Sequence, residues 1–255
     1  MNINIISDSK FSDLKCNLLG IGIDKSDLPK TLSNCEKLAR NEFLQYLVVL
    51  RFWDLIKARH SSEFMDYITK AGIIVTSSGL LVGASHFLGH KSVRIHNMFD
   101  LVIRLLTLAE RQERTVYLLG STKNTLQQAE RNLKRSFPTL RIVGRYSGKH
   151  TQGEEKSIVQ AIRKASPGLL LVGNGVRNRE LWLLNNKGKL PPGLGIWIED
   201  CFEIFAGKKK RPVKQGIFSI LKGTLNIIIQ PWRLLELPIL IYFIFLLLIA
   251  KIKKK

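Results

Sequence analysis

From Thr115 onward the chain repeats one phrase: a short apolar run, a turn, then a capped amphipathic stretch. "TVYLL" (Thr115 to Leu119) ends at Gly120, and "STKNTLQQAERNLKRSF" follows, with Pro138 marking its exit. "LRIVGRY" (Leu140 to Tyr146) gives way to "GEEKSIVQAIRKASP", whose acids lie in the first turn and bases late, as a helix dipole favours. "LLLV" (Leu169 to Val172) gives way to "RNRELWLLNNKGKLPP", and Gly195 to Ile198 reads as the last strand. Earlier strands are expected at Asn17 to Ile23, Tyr46 to Leu50 and Ile73 to Thr76. "DKSDLPKTLSNCEKLARNEF" is expected as a helix after the first of these, and Trp53 to Lys70 as a helical stripe broken near Ser61-Ser62. Ser77-Ser78-Gly79 then leads into an apolar run with helical spacing. Strands alternating with helices of about ten to fifteen residues are βαβ units, and βαβ units make a parallel sheet. The predicted fold class is therefore α/β: a Rossmann-like, mostly parallel sheet with helices on both faces and ligand sites at the carboxyl ends of the strands.

At 255 residues, 45% of them apolar, the chain can bury a substantial core. Its charge is lopsided: 40 basic against 20 acidic residues, net +20. Such a surplus calls for an anionic partner, whether nucleic acid, anionic lipid or a phosphorylated substrate. Nucleic acid is disfavoured, because the bases are not interleaved with aromatics and no binding motif is present. Cys16, Cys35 and Cys201 are far apart, and His60, His86, His90, His96 and His150 are scattered, so no metal and no cofactor is expected. The first twenty residues lack the basic-then-apolar order of a signal peptide.

The character changes at Gly207, which divides a domain over 1–207 from a tail over 208–255. "KKKRPVKQGIFSILKG" is basic, and the tail then turns apolar and ends in lysines. The uncharged run Leu237 to Ala250 would cover only roughly 21 Å as a helix at about 1.5 Å per residue. The bilayer core is about 30 Å thick. Extension back to Leu225 takes in Pro231, Arg233, Glu236 and Pro238, and both flanks are basic. The expectation is an interfacial or re-entrant anchor on membrane lipid, with a spanning tail anchor as the alternative.

Three strand ends carry turns suited to ligands. Thr76-Ser77-Ser78-Gly79 is the first. In "LLGSTKN", Gly120 permits close backbone approach, and Ser121 or Thr122 can cap the next helix. In "VGNGVRNRELW", Gly173 and Gly175 bracket a turn, and Arg177 and Arg179 are expected to open the following helix, where phosphate would be held. A GxG without its third glycine is weak evidence for a dinucleotide.

With these pieces in order, the chain resembles the WecB/TagA/CpsF glycosyltransferases over about Asn17 to Leu235. "LLGIGID", "GIIVTSSGLLVGASHFLG", "VYLLGST", "LRIVGRYSG", "LLLVGNGVRNRELWL", "FEIFAGKKKRP" and "IIQPWRLLE" follow in the family's order. The resemblance implies transfer of an N-acetylmannosamine-type sugar from a UDP-sugar to a polyprenyl-diphosphate-linked acceptor. It places that reaction in bacterial surface-polysaccharide synthesis, at the cytoplasmic face of the inner membrane. It implies an inverting, metal-independent reaction. Self-association into a homo-oligomer stays open.

The departures fall on the polar set. The family's turn aspartate, its general base, aligns with Ser78, and serine cannot take a proton unaided at neutral pH. A family Thr and Asn fall at Val49 and Arg51. The family's Pro-Lys-Gln-Glu becomes Arg177-Asn178-Arg179-Glu180, and its glycine pair before "FDF" aligns near Glu199 and Asp200, its aspartate with Glu203. If catalysis persists, Asp200, Glu199 and Glu203 are the candidate bases, because they follow the last strand. Thr76, Gly79, Arg94, Gly120, Ser121, Gly173, Gly175, Arg177, Arg179 and Glu180 are the candidate donor-site residues, and Arg211, Lys214 and Arg233 the candidates for the acceptor diphosphate. The competing reading is a membrane-bound sugar-nucleotide or partner-binding module that has lost catalysis.

Overall fold

Six of the predicted runs pair in parallel. The computed structural model describes residues 15–90, 92–212 and 237–252. Strands β3 (Gln45–Leu50), β4 (Ile73–Thr76), β5 (Thr115–Gly120), β6 (Arg141–Ser147), β7 (Leu169–Val172) and β8 (Leu194–Trp197) form one sheet in the order β4-β3-β8-β7-β5-β6. Every pairing in it is parallel. The pairs β3–β4 and β5–β6 grow outward in opposite directions, and β7 and β8 fill the middle, so all carboxyl ends share one edge.

Alternation along the strands splits the core in two. Tyr46, Val48, Leu50, Ile74, Leu119, Leu170 and Val172 point to one face, and Leu47, Val49, Ile73, Val75, Leu118, Leu169 and Leu171 to the other. Both sets are covered by helices, which is why "LLLV" and "IIVT" are buried throughout rather than alternating. Edge strand β6 alternates exposed and half-buried residues instead.

The helices are α1 (Leu28–Leu38), α2 (Phe52–His60), α3 (Ser62–Thr69), α4 (Gly79–Phe87), α5 (Met98–Arg111), α6 (Lys123–Ser136), α7 (Gln152–Ala165), α8 (Leu181–Asn186), α9 (Cys201–Phe205) and α10 (Leu237–Ile252). The expected break at Ser61-Ser62 separates α2 from α3, with the Ser61 hydroxyl accepting from the Phe64 amide. Residues 98–111, for which the turn and strand signals assign no element, form a fourteen-residue helix capped by Asn97. Phe99, Val102, Leu105, Leu106 and Ala109 are buried along its stripe.

Two expectations are corrected. The opening run is not one strand of the parallel sheet but a hairpin, β1 (Lys15–Leu18) with β2 (Ile21–Asp24), antiparallel. Leu19 and Gly20 both have positive φ (54° and 94°), the geometry of a two-residue reversing turn. The hairpin packs Cys16, Leu18, Ile21 and Ile23, all fully buried, onto the sheet. Its Asp24 carboxylate accepts from the Ile74 amide (2.7 Å) on edge strand β4. The second correction concerns Arg177 and Arg179. Helix α8 begins only at Leu181, and Asn178 and Arg179 are both left-handed (58° and 50°), so neither arginine opens a helix.

The tail run forms α10, sixteen residues lying on the domain. Phe243 and Leu247 are buried, the former edge-on to Phe52 at a ring separation of 5.1 Å. Among the described residues no helix is long and apolar enough to cross a membrane.

Candidate active site at the carboxyl edge

A narrow cavity of about 20 Å³ lies at the ends of β3 and β8, lined by Arg51, Asp54, Tyr67, Glu180, Trp197 and Glu199. Arg51 follows β3 directly. Its Nε and Nη2 donate to the two oxygens of Asp54 (3.0 and 2.9 Å), and its Nη1 lies 2.8 Å from Glu199 Oε1. The hydrogen bonds to Asp54, opposed by burial, hold the guanidinium above its usual acidity range.

Glu199 stands just beyond β8 with φ 48°. This is left-handed backbone, which costs a non-glycine residue about 1–3 kcal/mol. The family resemblance set out above puts a glycine pair near this position, and a left-handed φ is a backbone that glycine adopts without strain. Burial pushes the Glu199 carboxyl above the usual carboxylate range, and Arg51 pulls part of the way back. Of the three acids after the last strand, only Glu199 lines this cavity. Asp200 is held by the Asn174 amide and Lys209. Glu203 accepts from the Ser121 hydroxyl (2.7 Å).

Glu180 is buried in the same cavity. Its Oε1 accepts from Lys57 (2.7 Å), and Arg179 Nε lies 3.6 Å from Oε2. Asp54 and Lys57 are groups that sequence reasoning did not assign to the site, and Arg51 entered it only as the position of a family asparagine. The legible signal was position: all three lie in "RFWDLIK", directly after a buried strand.

The remaining candidates do not all converge. Thr76 is fully buried, and its hydroxyl donates to the Leu50 carbonyl (2.8 Å), tying β4 to β3. The Ser78 amide donates to that hydroxyl (3.1 Å), and Gly79 begins α4 with open space where a side chain would be. Gly120 and Gly173 approach each other: a methyl on Gly120 would sit 2.8 Å from the Gly173 nitrogen, and one on Gly173 would strike Phe202. Gly175 has φ 89° and packs near Gly148 and Ser121. Thr122 is the residue that caps α6. Arg94 lines a separate depression of about 360 Å³ with Lys25, Asp27, Lys30 and Ser92. Arg211 lies over the Phe99 ring at 5.4 Å. Lys214 and Arg233 lie outside the described residues.

A third concavity, of about 480 Å³, sits at the ends of β5 and β6. Lys123, Arg145 and Lys149 line it with Tyr146 and Ser147. Arg145 is paired with Glu130. Three cations beside an aromatic ring suit a nucleoside phosphate.

By fold this is a Rossmann-like α/β protein with a cluster of charged groups at the carboxyl edge of a parallel sheet. The profile of the Glycosyl transferase WecG/TagA/CpsF family matches residues 16–255, and the chain belongs to that family. It is thus a glycosyltransferase. It is similar to the N-acetylglucosaminyldiphosphoundecaprenol N-acetyl-beta-D-mannosaminyltransferase of Staphylococcus aureus strain NCTC 8325, at 23% identity over 258 residues, covering 97% of each chain. The protein of the same name from strain MRSA252 is 23% identical over 258 residues with the same coverage.

Proposed function

We propose that the protein moves a hexosamine-type sugar, N-acetylmannosamine by analogy with the relatives, from a UDP-sugar to a polyprenyl-diphosphate-linked acceptor. The reading places this step in surface-polysaccharide synthesis at the cytoplasmic face of the membrane. The observation that carries it is Glu199: a carboxylate with its proton affinity raised by burial, lining a cavity at the strand ends beside Arg51. A carboxylate can take a proton from an acceptor hydroxyl, which Ser78 cannot do unaided.

In this reading Glu199 takes the proton of the acceptor hydroxyl. The hydroxyl oxygen attacks the anomeric carbon from the face opposite UDP, inverting it, and the bond to the phosphate oxygen breaks with its electron pair. Lys123, Arg145 and Lys149 take up the charge of the departing nucleotide, so no metal is required of the mechanism. Arg51 holds Glu199 in place. Arg211, with Lys214 and Arg233, is assigned to the acceptor diphosphate, and the apolar tail to the membrane interface.

A specific observation also favours the binding-module reading: Glu199 is already paired with Arg51. A transfer assay separates the two. UDP-N-acetylhexosamines are supplied with a synthetic polyprenyl-diphosphate N-acetylglucosamine, and product is followed by chromatography. Turnover that Glu199→Gln abolishes supports the transferase. UDP binding without turnover in the unsubstituted protein supports the binding module.

A further inference from the structure

Among the described residues, six of the twelve large exposed apolar side chains lie on α10. Phe243, Leu247 and Ala250 face the domain. On the opposite stripe Ile241, Phe245, Leu248 and Ile252, spaced four, three and four apart, are 66, 57, 48 and 73% exposed. The domain continues this stripe on either side. Phe52, the partner of Phe243, meets Trp53 edge-on at 5.2 Å, and Trp53 is 43% exposed. At the other end of α10, Lys251 Nζ sits 3.9 Å over the ring of Phe87. Phe87 shares one face of α4 with Leu80, two turns earlier, and both are exposed.

Trp53 and Leu80 stand in the first turns of α2 and α4, the helices that leave the carboxyl ends of β3 and β4. The apolar surface therefore adjoins the edge of the sheet that carries Arg51 and Glu199. An apolar surface of this extent marks an interaction site. Charge decides which partner. Net charge is +20, Lys251 lies within the surface and the chain ends in three more lysines. A second copy would bring like charges face to face, whereas an anionic headgroup layer would be attracted, and tryptophan at a rim suits the headgroup level.

We infer that Trp53, Leu80 and Phe87 of the globular domain form, with the outer stripe of α10, a single bilayer-contacting plane that holds the β3–β4 end of the site at the headgroups. Its purpose, though not its existence, rests on the proposed transfer to a lipid-borne acceptor. The tail helix is then only part of the anchor, and the plane also orients the site.

The test is co-sedimentation of the full chain with phosphatidylglycerol/phosphatidylcholine vesicles, comparing the unsubstituted protein with Leu80→Glu/Phe87→Glu. The expected result is binding at least about tenfold weaker, with the tail intact. Leu80→Ser and Phe87→Ser, which add no charge, should each show part of the loss. Val143→Glu, at an exposed apolar residue on β6, should show none. Thermal unfolding and calorimetric UDP binding should be unchanged, and transfer to a short-chain, water-soluble acceptor should persist while transfer to a vesicle-embedded one falls. Vesicle binding that ignores the double variant overturns the inference. So does a variant that breaks an oligomer in solution, which would assign the surface to a second copy. Absence of UDP binding in the unsubstituted protein would sink the transferase reading and leave the vesicle result standing.

Discussion

Arg51 Nη1 and Glu199 Oε1 lie 2.8 Å apart, joining the residue after β3 to the turn after β8. The pair spans two neighbouring strand ends that are distant in sequence. It places a charged couple where the family resemblance implies an asparagine and a glycine. If Glu199 is the base, Glu199→Gln lowers turnover by roughly 10²–10⁴-fold while UDP affinity, read by calorimetry, is retained. Asp200→Ala and Glu203→Gln, whose parents are engaged elsewhere, cost less than about tenfold each on the same assay.

The pH profile tests the same pair. Burial raises the Glu199 carboxyl above the usual value of about 4.3, and Arg51 lowers it. A base works only when deprotonated, so kcat/KM falls as pH drops through this raised value. Arg51→Gln removes the lowering charge, so the acid limb of the profile moves to higher pH. A limb that stays in place in Arg51→Gln shows that another group is titrating.

Asp24 couples the hairpin to β4. Burial raises its carboxyl above the ordinary value, and the Ile74 amide opposes the shift. A group with a raised folded value favours folding most when it is protonated. Its contribution is full below the unfolded value and is lost as pH rises through the folded one. Urea unfolding across that window should show stability falling with pH more steeply than in Asp24→Asn, which keeps an acceptor for the amide. Asp24→Ala leaves that buried amide unpaired and costs about 1–3 kcal/mol.

Gly120→Ala tests the packing of the two turns. With φ 141° and the Gly173 nitrogen 2.8 Å from the new methyl, the backbone must move. The expected loss is at least about 1–3 kcal/mol, read from the urea midpoint. Ser121→Ala should cost about 1.5–3 kcal/mol through the lost hydrogen bond to the Glu203 carboxylate.

The parallel sheet was legible because every strand of it but the edge strand β6 is covered on both faces, so local apolarity and burial coincide, as "LLLV" illustrates. Family membership was legible for the same reason: the order of strand-end motifs is a property of the chain. Long-range polar geometry was not. Nothing local to "LVVLRFWD" says that Arg51 will grip a glutamate almost one hundred and fifty residues on, because adjacency of β3 and β8 arises only when two crossovers insert the last strands in mid-sheet. The opening glycine was ambiguous too, since the choice between a continuous strand and a reversal at Leu19-Gly20 rests on what the apolar side chains can cover. The residues around "RNRE" took left-handed conformations that propensity alone does not foretell. Alternation and composition thus set the layers and the surplus of positive charge, while the choice of Glu199 among three acids, and the joining of the tail to Phe52 and Phe87, came from packing between elements remote in sequence.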